Sequence, residues 1–93
     1  MDSIPEWRRL ADRFPHIVRK LPKDFKPVDL LKLHKTVPLS TTEKDMAQFL
    51  LHVWNRYDHP FELDQVLGWD NNHLQVFLDW FSGRLFGEPV RYF

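Results

Sequence analysis

The sequence predicts an all-α domain: a compact orthogonal bundle of about five helices, two of them short. Three observations carry this reading. Apolar residues recur at helical spacing in the segments between prolines, no stretch alternates with strand period, and no Asn-Gly or Asp-Gly pair marks a hairpin. A chain of 93 residues can close one core without metal or disulfide support, so residues 1–93 are read as a single domain ending in an apolar tail, 84–93.

In chain order, Ser3 and Glu6 have capping-box spacing with Pro5 in the first turn, and Ile4, Trp7, Leu10, Ala11 and Phe14 share one narrow face. This predicts a helix to about Phe14. Pro15 disfavours helix at the residue before it, so 16–21 is expected as a separate short turn of helix, stopped by Pro22. The link 23–26 is polar except for Phe25, which is expected to plug into the core. Pro27 suits a helix N-terminus, and Leu30, Leu31, Leu33 and Val37 mark the inner face of a helix over 28–36. Lys32 and Lys35 fall outside that face.

The strongest signal is the stretch from Ser40 to Tyr57, read as the central helix. Met46, Ala47, Phe49, Leu50, Leu51, Val53, Trp54 and Tyr57 span an arc of roughly 200°, about twice the stripe of a one-sided surface helix. Neighbours are therefore expected on more than one side, and Ser40 with Glu43 forms a capping box. Asp58 and Pro60 then predict the start of a short helix holding Phe61, Leu63, Val66 and Leu67, ended by Gly68, with Trp69 as an anchor. Asp70 caps a last helix over 71–82, bearing Leu74, Val76, Phe77, Leu78, Trp80 and Phe81, and Gly83 stands where a left-handed residue is wanted.

Most chemistries lack their residues. Cysteine is absent, which removes disulfides and thiolate sites. His16, His34, His52, His59 and His73 have no second histidine at i+3 or i+4, so no metal is expected. Asp58, Glu62 and Asp64 are accounted for by capping and the helix dipole. No strained turn presents a serine, and three glycines make no phosphate-cradling loop. The expectation is a protein that is not an enzyme and carries no cofactor. With no apolar run of about 18 residues and no signal-peptide opening, it is expected in the cytoplasm and off the membrane.

Two surfaces remain. The chain is neutral, yet residues 1–37 carry +4 and 38–93 carry −4. Arg19, Lys20, Lys23, Lys26, Lys32 and Lys35 form a possible basic patch, and 28–36 with 40–57 can be drawn as a helix-turn-helix reading bases through Thr41, Thr42, Lys44 and Gln48. Against nucleic acid stand the neutral balance and Asp45 on the presumed reading face. Fourteen aromatic residues exceed what a small core easily absorbs, so Val76, Trp80, Tyr92 and Phe93 are expected as a partner-binding aromatic patch, for a protein partner or a homodimer, unless the tail covers them.

The segment containing Phe49, Val53-Trp54-Asn55, Pro60-Phe61, Leu63, Trp69-Asp70, His73, Phe77 and Trp80 resembles a pattern found in small uncharacterised bacterial proteins associated with mobile elements and phages. The resemblance implies a bacterial or phage origin and action by binding a host protein complex. The function expected is thus a small non-catalytic protein-interaction module. A nucleic-acid-associated regulator using residues 19–35 is the alternative.

Overall fold

Prolines and side-chain caps cut the chain into six helices. The computed structural model describes residues 3–93, with α1 (Ile4–Ala11), α2 (Pro15–Val18), α3 (Pro27–Thr36), α4 (Thr41–Trp54), a 3-10 helix (Leu63–Gly68) and α5 (Asn71–Ser82). No strand occurs among the described residues, so the all-α expectation holds, with six helices rather than five. The radius of gyration, 12.3 Å, equals that of a compact chain of this size, about 12 Å.

Local chemistry explains most boundaries. Pro15 keeps Phe14 out of helical geometry, and α1 stops at Ala11 rather than Phe14. Pro27 opens α3 while the Asp29 carboxylate accepts from the Lys26 amide at 2.8 Å. At α4 the capping box forms in both directions: the Glu43 amide donates to Ser40 Oγ, and the Ser40 amide donates to Glu43 Oε1, each at 3.1 Å. At α5 the His73 amide donates to Asp70, and Gly83 takes the left-handed conformation at φ 91°.

Three expected local features are absent. Ser3 makes no capping bond, because its backbone is already helical (φ −92°, ψ −1°) instead of extended as a cap requires, and the Glu6 carboxylate pairs with Arg91 at 3.2 Å. The central helix ends at Trp54 rather than Tyr57. Asn55 Oδ1 accepts from the Tyr57 and Asp58 amides and Asn55 Nδ2 donates to Asp58, so a side-chain turn replaces the next helical turn and leaves Tyr57 82% exposed. Asp58 is consequently a partner of Asn55 and not a helix cap, and the following helix begins at Leu63.

Everything else is built around α4. It packs against α1, α2, α3 and the 3-10 helix, while its fully buried Phe49 meets Phe77 and Trp80 of α5 at 5.5 and 5.2 Å between ring centres. Phe14, Phe61 and Trp69 complete that ring cluster at 6.1, 5.4 and 5.8 Å. Trp7, also fully buried, donates its indole N–H to the Leu50 carbonyl at 2.9 Å, and Phe25 packs edge-on against it as expected.

The tail folds back over α5. Gly83 makes the turn possible, since a Cβ there would lie 3.0 Å from the Pro89 nitrogen. The Val90 amide donates to the Trp80 carbonyl at 3.3 Å, and the Phe93 amide donates to the Val53 carbonyl at 2.9 Å.

Gly83→Ala is expected to lower unfolding stability by about 2 kcal/mol, from the left-handed backbone and the contact with Pro89 together. Urea denaturation checks it. A second expectation concerns Glu43, whose carboxyl is lowered to about 2, first by the hydrogen bond from Lys20 and then by the Ser40 amide. Its folded value lies below its ordinary 4.5, so the stabilisation is complete above about 4.5 and fades as pH falls toward 2. Glu43→Gln, which keeps a capping side chain, should be weaker than wild type by about 0.5–1 kcal/mol at pH 7. At pH 2.5 the two denaturation midpoints should lie closer together than at pH 7.

Candidate functional surfaces

The expected aromatic patch is largely covered, although Trp80 and Tyr92 still line a cavity. Val76 and Trp80 are each only 3% exposed, and Tyr92 and Phe93 are half-buried, because the tail supplies what α5 lacks. Trp80 donates its indole N–H to the Arg91 carbonyl at 2.7 Å, and the Tyr92 ring stands edge-on to it at 5.6 Å. Tyr92 Oη donates to His52 Nε2 at 3.0 Å, since His52 Nδ1–H is committed to the His59 carbonyl at 2.8 Å. Arg56 lies over the Tyr92 ring at 4.5 Å, and Arg91 over Phe93 at 5.0 Å. These four residues close the core.

The exposed apolar surface lies one step away. A mostly aromatic cavity of 230 Å³ opens between the start of the 3-10 helix, α5 and the tail; the buried rings of Phe49, Phe77 and Trp80 line it together with Phe61, Leu63 and Phe81, and His52, Val90 and Tyr92 close its tail side. Leu63 is 67% exposed and Phe81 50%, while Leu78, one turn from Phe81, and Leu67, at the far end of the 3-10 helix, are also exposed. Glu62 and Asp64 flank Leu63, are exposed, and have no cationic partner among the described residues.

The basic segment divides. Lys20 pairs with Glu43 at 2.7 Å and Arg19 donates to His16 Nδ1 at 3.0 Å, so both are engaged within the fold. Lys23, Lys26, Lys32 and Lys35 are exposed and carry no ion pair among the described residues. Of the residues drawn as base-reading on α4, Thr41 and Lys44 are exposed and Gln48 is taken up within the fold. Asp45 accepts from Gln65 at 2.8 Å, Gln48 donates to the Pro60 carbonyl at 2.8 Å, and His52 is bonded at both nitrogens.

A concavity of 740 Å³ lies where the α1–α2 turn meets the N-termini of α4 and α5, with His16 and His73 on its wall, their ring centres 6.2 Å apart. Each charged group on the wall has a structural partner. His73 Nδ1–H donates to Asp70 at 2.5 Å, which holds the Asp70 carboxyl below the usual range; Arg13 pairs with Asp79 at 3.3 Å, and Glu43 pairs with Lys20. Asp79 is likewise held low, first by the hydrogen bond from Gln75 and then by Arg13. No group of three potential ligands able to hold a metal occurs among the described residues. Nor is any helix among them long and apolar enough to cross a membrane.

Compared with protein-family models, with curated proteins and with solved structures, the chain matches none.

His34 reports on the basic side of the molecule. Burial first, and then the positive fields of Lys44, His59 and Lys35, hold its pKa below 6.5. Because the folded state resists the proton, the unfolded chain binds it first, and stability falls as pH drops below about 6.5, with no contribution from this group above it. His34→Gln should therefore lose less stability than wild type between pH 7.5 and 5.5. Paired urea titrations at the two pH values measure the difference.

Proposed function

We propose that the chain is a small non-catalytic protein-interaction module whose docking face is the cavity between the 3-10 helix and α5. The observation that carries the reading is the exposure of Leu63 and Phe81 on one mostly aromatic cavity that the buried Trp80 also lines. An exposed apolar concavity rimmed by charge is the usual form of a protein-binding site, and a partner's apolar side chain seated on an aromatic floor is the usual form of its energetic centre. The unpaired Glu62 and Asp64 beside Leu63 select for cations around that side chain. The partner is thus a protein segment presenting an apolar residue between lysines or arginines. The resemblance of the second half to mobile-element and phage proteins makes a bacterial host protein the natural source of such a segment.

The nucleic-acid alternative has the four unpaired lysines in its favour. It is the weaker reading, because Asp45, Gln48 and His52 on α4 are already bonded to the segment 59–65 and to Tyr92, and two of the six basic residues of 19–35, Arg19 and Lys20, are engaged within the fold.

Selection from a random peptide display library tests the proposal. Peptides with an apolar residue flanked by Lys or Arg should be enriched, and Leu63→Ser/Phe81→Ser should reduce their binding at least tenfold while leaving the circular dichroism spectrum unchanged. Enrichment of acidic peptides, or binding indifferent to those two substitutions, would overturn it.

A further inference from the structure

We infer that the cationic segment the cavity receives is the outer face of α3 on a second copy of the chain, so that the protein associates head to tail. The inference rests on the docking face proposed above and names its partner. Val28, Lys32 and Lys35 stand at i, i+4 and i+7, which stacks them along one side of α3. All three are exposed, Val28 by 52%, whereas Leu30 and Leu33 turn inward against the core. Lys23 and Lys26 lead into the same helix, and the one acid of its first turn, Asp29, has its carboxylate directed at the Lys26 amide. This face therefore offers an apolar side chain between unpaired cations, the chemistry that Leu63, Phe81, Glu62 and Asp64 select.

Charge distribution points the same way. A neutral chain split into halves of +4 and −4 pairs some of those charges internally, at Arg13–Asp79, Lys20–Glu43 and Glu6–Arg91. Among the groups without an ion pair, Lys23, Lys26, Lys32 and Lys35 gather around α3 and Glu62 and Asp64 stand beside Leu63, while Arg56 is occupied over the Tyr92 ring. Two different surfaces of opposite sign on one molecule satisfy each other when one copy's α3 enters the next copy's cavity, whether the contact is passed on to a third copy or returned in a two-fold pair. A contact made by one helix face and one small cavity is at the low end of interface sizes, so the association is weak and salt-sensitive.

Light scattering over a concentration series, from roughly 10 µM to 1 mM, the range in which so small an interface assembles, tests this with the full chain. The average mass should rise with concentration at low salt and fall back on raising the salt. Lys32→Gln/Lys35→Gln blocks α3, and Leu63→Ser/Phe81→Ser blocks the cavity; all four positions are exposed, and circular dichroism confirms folding. Each variant alone should stay monomeric, while an equimolar mixture should reach twice the monomer mass and no more, since it contains one intact α3 face and one intact cavity. A wild-type mass that never rises, or a mixture that stays monomeric, would sink the inference. So would wild-type association that the lysine substitutions leave untouched, or a lysine variant whose only defect is loss of binding to duplex DNA or RNA. If the display selection succeeds while the mass stays constant, the cavity binds another protein and only the self-association fails. Indifference of both experiments to Leu63→Ser/Phe81→Ser removes the docking face as well.

Discussion

Burial of α4 on more than one side is the constraint on which the rest of the structure depends. A helix with an apolar arc of roughly 200° cannot lie on a surface, so every other element has to contribute a wall, and most of those walls are aromatic. Phe49 shows how this works. Its ring is met by rings from the α1–α2 junction, from the segment around the 3-10 helix and from α5, so one side chain ties together elements that have few other contacts with each other. Truncating a residue so placed removes several edge-to-face pairs at once, and the surrounding rings have little freedom to collapse into the space.

That arrangement also decides where interaction chemistry can sit. The aromatic residues of α5 are drawn inward by Phe49, and the tail covers their remaining edges with backbone carbonyls, a tyrosine hydroxyl and two arginine planes. The cover stops short of the rim at Leu63 and Phe81. The cavity is therefore a by-product of how the core closes, lying between the last part of the tail and a 3-10 helix too short to seal it. In the larger cleft at the N-termini of α4 and α5, by contrast, the charged side chains are held by caps and ion pairs.

How much of this could be read from the amino acids follows from the range of the interaction involved. Pro15 and Pro27 as boundaries, Ser40 with Glu43, and Asp70 with Gly83 are choices made within one helical turn, and each appears where expected. The misses have partners far along the chain or a local competitor. Glu6 leaves its cap for Arg91, 85 residues away. Tyr57 falls off the helical wheel because the Asn55 side chain offers its neighbours' amides a better turn. Winding matters too: in a 3-10 helix Leu63 and Leu67 lie about 120° apart, against about 40° in an α-helix, so the face that would have hidden both is split and both are left in solvent. Val76 and Trp80 are the plainest case. Their side of α5 reads as a sticky surface in sequence because only the three-dimensional return of the tail reveals what covers it.

The closure of the core by Tyr92 and Phe93 has a consequence for how the chain is made. The residues that bond to Trp80, His52 and Val53 follow α1 to α5 in chain order, so the core is made before its cover. Until the tail docks, the Trp80 indole lacks its carbonyl acceptor and the Val53 carbonyl its amide donor, and the surface that the finished fold hides is open to a chaperone or to a neighbouring chain.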